Sequence, residues 1–205
     1  MNDLDFAALL VSRVCHDLVS PVGAVVNGLE VLEDETNMAM RADALRLVAA
    51  SAEQAAVRLK FARVAFGAAG SAGAELDLAE VARVMSDLLK DGKVELVWNA
   101  YAINWPKDWA KLLMNVALTA ADCLPRGGKV TVQTSQDTAS PSFRIIASGT
   151  VARMGPESER ALLGEPGGGL DGRSIQPFLT YQLSKSLNAG LNVTTSEGEV
   201  RFAAG

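Results

Sequence analysis

One histidine and two cysteines are the whole stock of imidazole and thiol in this 205-residue chain. Two broad classes fall at once. A zinc centre needs three or four nitrogen, sulfur or carboxylate ligands gathered in one place, and His16, Cys15 and Cys123 at unrelated positions do not assemble one. A disulfide framework needs more than a single pair of cysteines. Positive charge is short as well: 19 Lys and Arg stand against 24 Asp and Glu, a net charge of −5. Without a basic patch to displace counterions, nucleic acid and anionic membrane are poor partners. No charged-plus-apolar leader opens the chain and no apolar run of about 18 residues is expected, so the reading is a cytoplasmic protein. Aromatic residues make up only 5%. Together with heavy use of alanine, that favours helix over sheet.

What the chain does have is two differently patterned halves, divided near residues 67–75, GAAGSAGAE. In the first half, Val11, Cys15, Leu18, Val22, Val25, Leu29 and Leu32 alternate in steps of four and three. Leu45, Val48, Ala52, Ala55, Leu59, Ala62 and Phe66 do much the same. Each set predicts a helix with a coiled-coil-like apolar seam. The polar link EDETNMAM between them is short, so the helices should fold back as an antiparallel hairpin. One hairpin has too little core to stand alone, and two copies would close a four-helix bundle. The expected organisation is α+β: residues 1–70 a helical hairpin for dimerisation, residues 75–205 a separate α/β domain.

His16 lies in the first helix. At about 100° per residue, Arg13, His16, Ser20, Gly23, Asn27, Glu30 and Asp34 share one side, opposite the apolar seam. The imidazole should therefore face solvent among small or polar neighbours. A lone histidine is more often a satisfied core residue, but the wheel speaks against that here. Cys15 is adjacent, so its side chain diverges too far for a thiolate–imidazole pair. Asp17 diverges similarly, though its carboxylate can reach back to orient the ring. What remains is histidine as a nucleophile: neutral imidazole can attack a phosphoryl group near neutral pH, and exposure lets a partner's site close over it. Pro21, five residues on, should bend the helix just beyond.

The stretch CHDLVSPVGAVVNGLEVL resembles the H-box of dimeric histidine kinases: a histidine, an acid, and a proline five residues after the histidine. More closely the chain is similar to the ChpT family of histidine phosphotransferases, a resemblance that also takes in RLKFARVAFGAAGSAG. The second half resembles the ATP-binding domain of histidine kinases, an α/β sandwich. Asp77 to Glu80 has the form of a helix-capping box. KVELVW reads as a strand and DWAKLLMNVALTAADCL as a long helix. KVTVQTS and SFRIIAS read as strands. A glycine-rich loop, GEPGGGLDG, precedes the helix SIQPFLTYQLSKSLNAG and two closing strands near LNVTTS and VRFAA. Set against the kinase pattern, Thr119 falls where a magnesium-binding asparagine is expected, with Asn115 one turn earlier. Ala147 falls where an aspartate should recognise adenine. The glycine-rich loop lacks the Lys-Ser/Thr pair of a phosphate loop and reads as a degenerate lid.

The resemblance implies a phosphorelay intermediate in bacterial cell-cycle control. His16 would carry the phosphoryl group and Asp17 would orient it. Arg13, Ser20, Gly23 and Asn27 would meet the docking receiver domain. The partners would be the receiver of a CckA-like hybrid histidine kinase and the response regulators of CtrA-like and CpdR-like type. No cofactor is expected in the chain, since the receiver would bring the magnesium. Two other readings stand beside it: an ATP-dependent histidine kinase, and a non-catalytic dimeric adaptor.

Overall fold

The computed structural model describes residues 2–33, 38–67, 74–101, 103–165 and 169–205. The first half is two helices, α1 (Asp3–Glu33) and α2 (Arg41–Ala65), with a 3-10 turn at Met38–Met40 before the second. They lie antiparallel: Gly28 meets Val48 and Ala44, while Arg41 donates to the Leu32 carbonyl and Arg58 to that of Asp17. Asp34 and much of the EDETNMAM link lie outside the described residues, as does most of GAAGSAGAE.

Neither apolar seam forms a single contact line. On α1, Pro21 and Gly28 are buried, Gly28 against α2, and Leu18, Val25 and Leu32 are half-buried, but Val11, Cys15, Val22 and Leu29 stay exposed. On α2 the buried positions are Ala44, Ser51, Phe61 and Ala65, whereas Leu45, Ala52 and Leu59 are exposed. The alternating spacing describes an apolar stripe roughly 100° wide; the α1–α2 contact uses one edge of it and leaves the other open. Small residues line the used edge for a steric reason. A Cβ on Gly28 would come within 2.6 Å of Val48 Cγ2 and 3.4 Å of the Ala44 carbonyl. This breadth also corrects the expectation about long apolar stretches: an 18-residue window of α1 has a mean hydropathy of 1.5, so the helix is long and apolar enough to cross a membrane by length and composition. In this fold that apolar surface packs on α2 or forms the open stripe.

The second half follows the expected alternation. β1 (Glu75–Asp77) leads into α3 (Leu78–Leu89), capped by the Asp77 carboxylate accepting the Ala79 N–H at 2.8 Å. β2 (Val94–Asn99) and β3 (Asn104–Pro106) precede α4 (Lys107–Asp122). Then come β4 (Gly128–Thr134), β5 (Phe143–Ser148), α5 (Pro156–Leu162), α6 (Ile175–Ser186), β6 (Asn192–Ser196) and β7 (Glu199–Ala204). The main sheet has the order β2-β4-β5-β7-β6, parallel only between β2 and β4. Gly127 turns the chain from α4 into β4 with φ +86°, where a Cβ would strike the Lys93 carbonyl at 2.4 Å.

α4 is the pivot of the architecture. It is apolar nearly all round because one side rests on β4, β5 and β7 and the other on α2, α3 and α6. The α/β layer is therefore a sheet with helices on one face, and the hairpin leans on those helices. Phe61 and Ala65 of α2 belong to the same hydrophobic core as Leu113, Ile145 and Phe202. Phe6 of α1 packs edge-on against Phe178 of α6 at 6.1 Å.

Three elements were not expected. β1 and β3 pair as a separate two-stranded ribbon, and at three residues each they are too short to show a period. The short helix α5 did carry a signal, a proline at its first position followed by glutamates in the first turn.

Candidate functional site

His16 lies on α1 five residues before Pro21, and 81% of its side chain is open to solvent. Its Nδ1 lies 3.4 Å from Asp17 Oδ1. The other oxygen of that carboxylate, Oδ2, accepts from Arg13 Nε at 2.9 Å in an i,i+4 pair along the helix. Arg13 then reaches across to the glycine-rich loop, its Nη1 donating to the Gly172 carbonyl at 3.3 Å. One carboxylate thus joins the imidazole to a guanidinium that is itself anchored to the α/β layer.

The loop end that receives Arg13 is rigidly built. Asp171 Oδ1 accepts the N–H groups of Arg173 and Ser174 at 2.9 and 2.8 Å and the Ser174 hydroxyl at 2.7 Å, while Ser174 Oγ accepts the Asp171 N–H at 2.9 Å. The hydrogen bonds from Ser174 hold the Asp171 carboxyl below its ordinary value. Residues 166–168 of the loop lie outside the described residues.

Between α1 and this loop opens a cleft of about 650 Å³, lined in part by Arg13, His16, Asp17, Asp122, Asp171 and Arg173. Asp122, at the end of α4, is pushed above its ordinary value. Loss of hydration in the cleft is the main cause; the Arg13 guanidinium opposes it and the Asp17 charge adds to it. The residue still presents accessible surface, so the cleft walls crowd the carboxyl group without sealing it. Cys123, next along, is buried and its thiol is pushed up to about 12, chiefly by burial. It is no nucleophile at neutral pH. Among the described residues no group of three or more His, Cys, Asp or Glu could hold a metal ion.

The expected docking stripe divides. Ser20 and Asn27 are exposed on the side of α1 that His16 occupies, and open space lies over Gly23. Arg13 instead turns inward, its side chain only 16% exposed. Asp122 and Asp171 to Arg173 were not singled out from sequence. Nothing in their local pattern tells that the end of α4 and the start of α6 come to rest beside residue 16.

The kinase-like fingerprint positions are accounted for internally. Ala147 is buried in β5, paired with Val130 and Val200. Thr119 is buried; its hydroxyl donates to the Asn115 carbonyl at 2.9 Å and lies 3.4 Å from Gln176 Oε1. Asn115 Nδ2 donates to the carbonyls of Lys111 and Ala65 at 2.9 and 3.1 Å, and Gln176 Nε2 donates to the Asn115 carbonyl at 2.9 Å. Ala65 ends α2, so Asn115 satisfies one of the carbonyls that a helix C-terminus leaves without a partner.

Known proteins align with this arrangement. The family profile for the histidine phosphotransferase C-terminal domain matches residues 78–199. Protein phosphotransferase ChpT of Brucella abortus (strain 2308) is 36% identical over 205 residues, which covers 100% of this chain and 97% of that one. A solved bacterial phosphotransferase superposes with a TM-score of 0.89 at 33% identity, covering 100% of this chain and 98% of the other. Profile, sequence and shape agree: this chain belongs to the ChpT-type histidine phosphotransferases.

Proposed function

We propose that this phosphotransferase works as a relay, with His16 as its phosphorylated residue. The reading rests on one observation. The only imidazole of the chain stands open at the mouth of a cleft with its Nδ1 turned toward a fixed carboxylate. With the proton on Nδ1 facing Asp17, the Nε2 lone pair is free to attack. A new N–P bond forms as the P–O bond to a receiver's aspartate breaks, and the carboxylate leaves with that electron pair. The ring becomes a phosphoimidazolium whose Nδ1–H stays beside Asp17, and the reverse sequence loads a second receiver. Such a transfer asks mainly for alignment and charge compensation, and the receiver brings the magnesium. The sources are receivers of hybrid-kinase type and the sinks are response regulators, in cell-cycle control.

Three further parts belong to this reading. The open stripe of Val11, Val22, Val26 and Leu29 on α1, with Leu45 and Leu59 on α2, is covered by a second copy, giving the four-helix bundle. The chain takes no phosphate from ATP: Ala147 offers adenine no carboxylate, and the Thr119 hydroxyl is already engaged with Asn115 and Gln176. With a net charge of −5 it has little attraction to anionic membranes and works in the cytoplasm.

The test is incubation with a phosphorylated receiver domain. Acid-labile, alkali-stable phosphate should appear on the chain and map to His16. Label that maps elsewhere overturns the assignment.

A further inference from the structure

Pro21 leaves a gap in α1. In an α-helix the Asp17 carbonyl takes its hydrogen bond from the N–H of residue 21, and proline has none; its ring also crowds that carbonyl. The helix nevertheless runs unbroken from Asp3 to Glu33. The orphaned acceptor belongs to the residue that follows His16 and carries the carboxylate beside it.

A donor arrives from the other helix. Arg58 Nη1 of α2 lies 3.2 Å from the Asp17 carbonyl oxygen. Arg58 occupies a telling place: Ala44, Ser51 and Ala65, spaced by sevens, are buried along the inner line of α2, and position 58 completes that series. Every other member is small. A long cationic side chain on a packing line needs a reason, and the usual one, a carboxylate partner, is lacking: the ion pairs among the described residues do not include it. Its fork instead supplies a charge-assisted hydrogen bond to a backbone oxygen.

We propose that Arg58 is a positioning residue for phosphotransfer: its guanidinium replaces the N–H that Pro21 lacks, holds the Asp17 carbonyl, and so fixes the turn of α1 that aims His16. Arg58 touches neither the imidazole nor the incoming phosphoryl group. It acts through the backbone of Asp17, whose side chain then holds both His16 and Arg13. This assignment rests on His16 being the nucleophile.

The proposal makes Arg58 and Pro21 partners, so the test is a double-mutant cycle on the full chain with Arg58→Leu, Pro21→Ala and the pair. Pro21→Ala returns the backbone N–H and makes the Arg58 donor redundant. Alone, Arg58→Leu should lower the maximal transfer rate on the order of 10- to 100-fold, as a small misplacement of a reacting group does, while half-saturation by the receiver hardly moves. It should also lower the unfolding midpoint by about 2–4 °C. On the Pro21→Ala background both effects should largely vanish, and Arg58→Lys, which keeps a cationic donor, should retain part of the rate. Equal losses from Arg58→Leu on both backgrounds would overturn the hydrogen-bond claim. Coupling in the midpoint with an unchanged transfer rate would reduce Arg58 to a structural strut. A wild-type chain that takes no phosphate at His16 would overturn the nucleophile reading, and the positioning role with it; the midpoint cycle tells that failure apart from the others.

Discussion

The hairpin and the α/β layer solve the same packing problem in opposite ways. The layer buries its apolar surface, with Phe61 and Ala65 of α2 completing its core. Its central helix α4 is buried almost all round, its apolar side chains meet the sheet, and its internal polar groups find partners in Asn115, Thr119 and Gln176. The hairpin buries mainly small residues between its helices and leaves Val11, Val22, Leu29, Leu45 and Leu59 open, with His16 exposed on another side of α1. One region buries its apolar surface and the other leaves an apolar stripe open. At the His16 end the two regions meet through Arg13 on the Gly172 carbonyl, with Asp122 in the cleft between them.

The contrast is broken most severely by putting charge on the open stripe. In the proposed four-helix bundle, Leu29→Asp or Leu59→Asp would bury an unpaired carboxylate, a cost of about 3–5 kcal/mol. Light scattering should then show monomers in place of dimers, with the α/β layer still folded. A wild-type chain that is already a stable, fully active monomer would contradict the stripe's assigned partner.

Next in size is obstruction of the His16 side. Gly23 has open space above it and Ser20 is exposed, so Gly23→Trp and Ser20→Arg should fold and dimerise normally. They should still block transfer with every receiver, because the reacting atoms must come within about 3 Å. Transfer by Gly23→Trp at the wild-type rate would remove this side as the docking surface.

On the layer's side, the expectation is a null result. Titration calorimetry should find no ATP binding at micromolar concentrations, since Ala147 and the Thr119–Gln176 contact leave neither an adenine acceptor nor a free polar group in place. Micromolar binding would make the layer a working nucleotide site.

The smallest effect concerns Asp122. Its folded value is raised, so its contribution to stability is full below the ordinary carboxylate range, near about 3.9, and fades as pH rises through the raised value. At neutral pH the ionised group is a liability. Asp122→Asn should therefore raise the unfolding midpoint slightly at pH 7 and lose that gain on acidification. A drop at pH 7 would mean that the attraction to Arg13 outweighs the lost hydration.

Sequence legibility followed the same division. Strands β4, β5 and β7 could be placed because their burial alternates residue by residue, and α4 because its apolar run is too long for a strand and ends at a glycine turn. The outward aim of His16 followed from the wheel alone. The hairpin seam is two edges of one wide stripe and not one face, since a spacing of three and four does not say how much of the stripe one neighbour covers. Arg13 looked like part of a docking surface and turned inward, because its destination is a carbonyl 159 residues away in the chain. Nothing in the sequence marks Arg58: the vacancy it fills is created by Pro21 on another helix, and only the fold brings the two together.

The central claim is that His16 passes phosphate between receivers. It is tested most directly by mixing a labelled phospho-receiver with a second, unlabelled receiver, with and without this chain. Label should reach the second receiver only when the chain is present. His16→Ala should abolish the passage while changing stability by no more than about 0.5 kcal/mol, as for an exposed side chain. Passage at the wild-type rate with His16→Ala would contradict the claim.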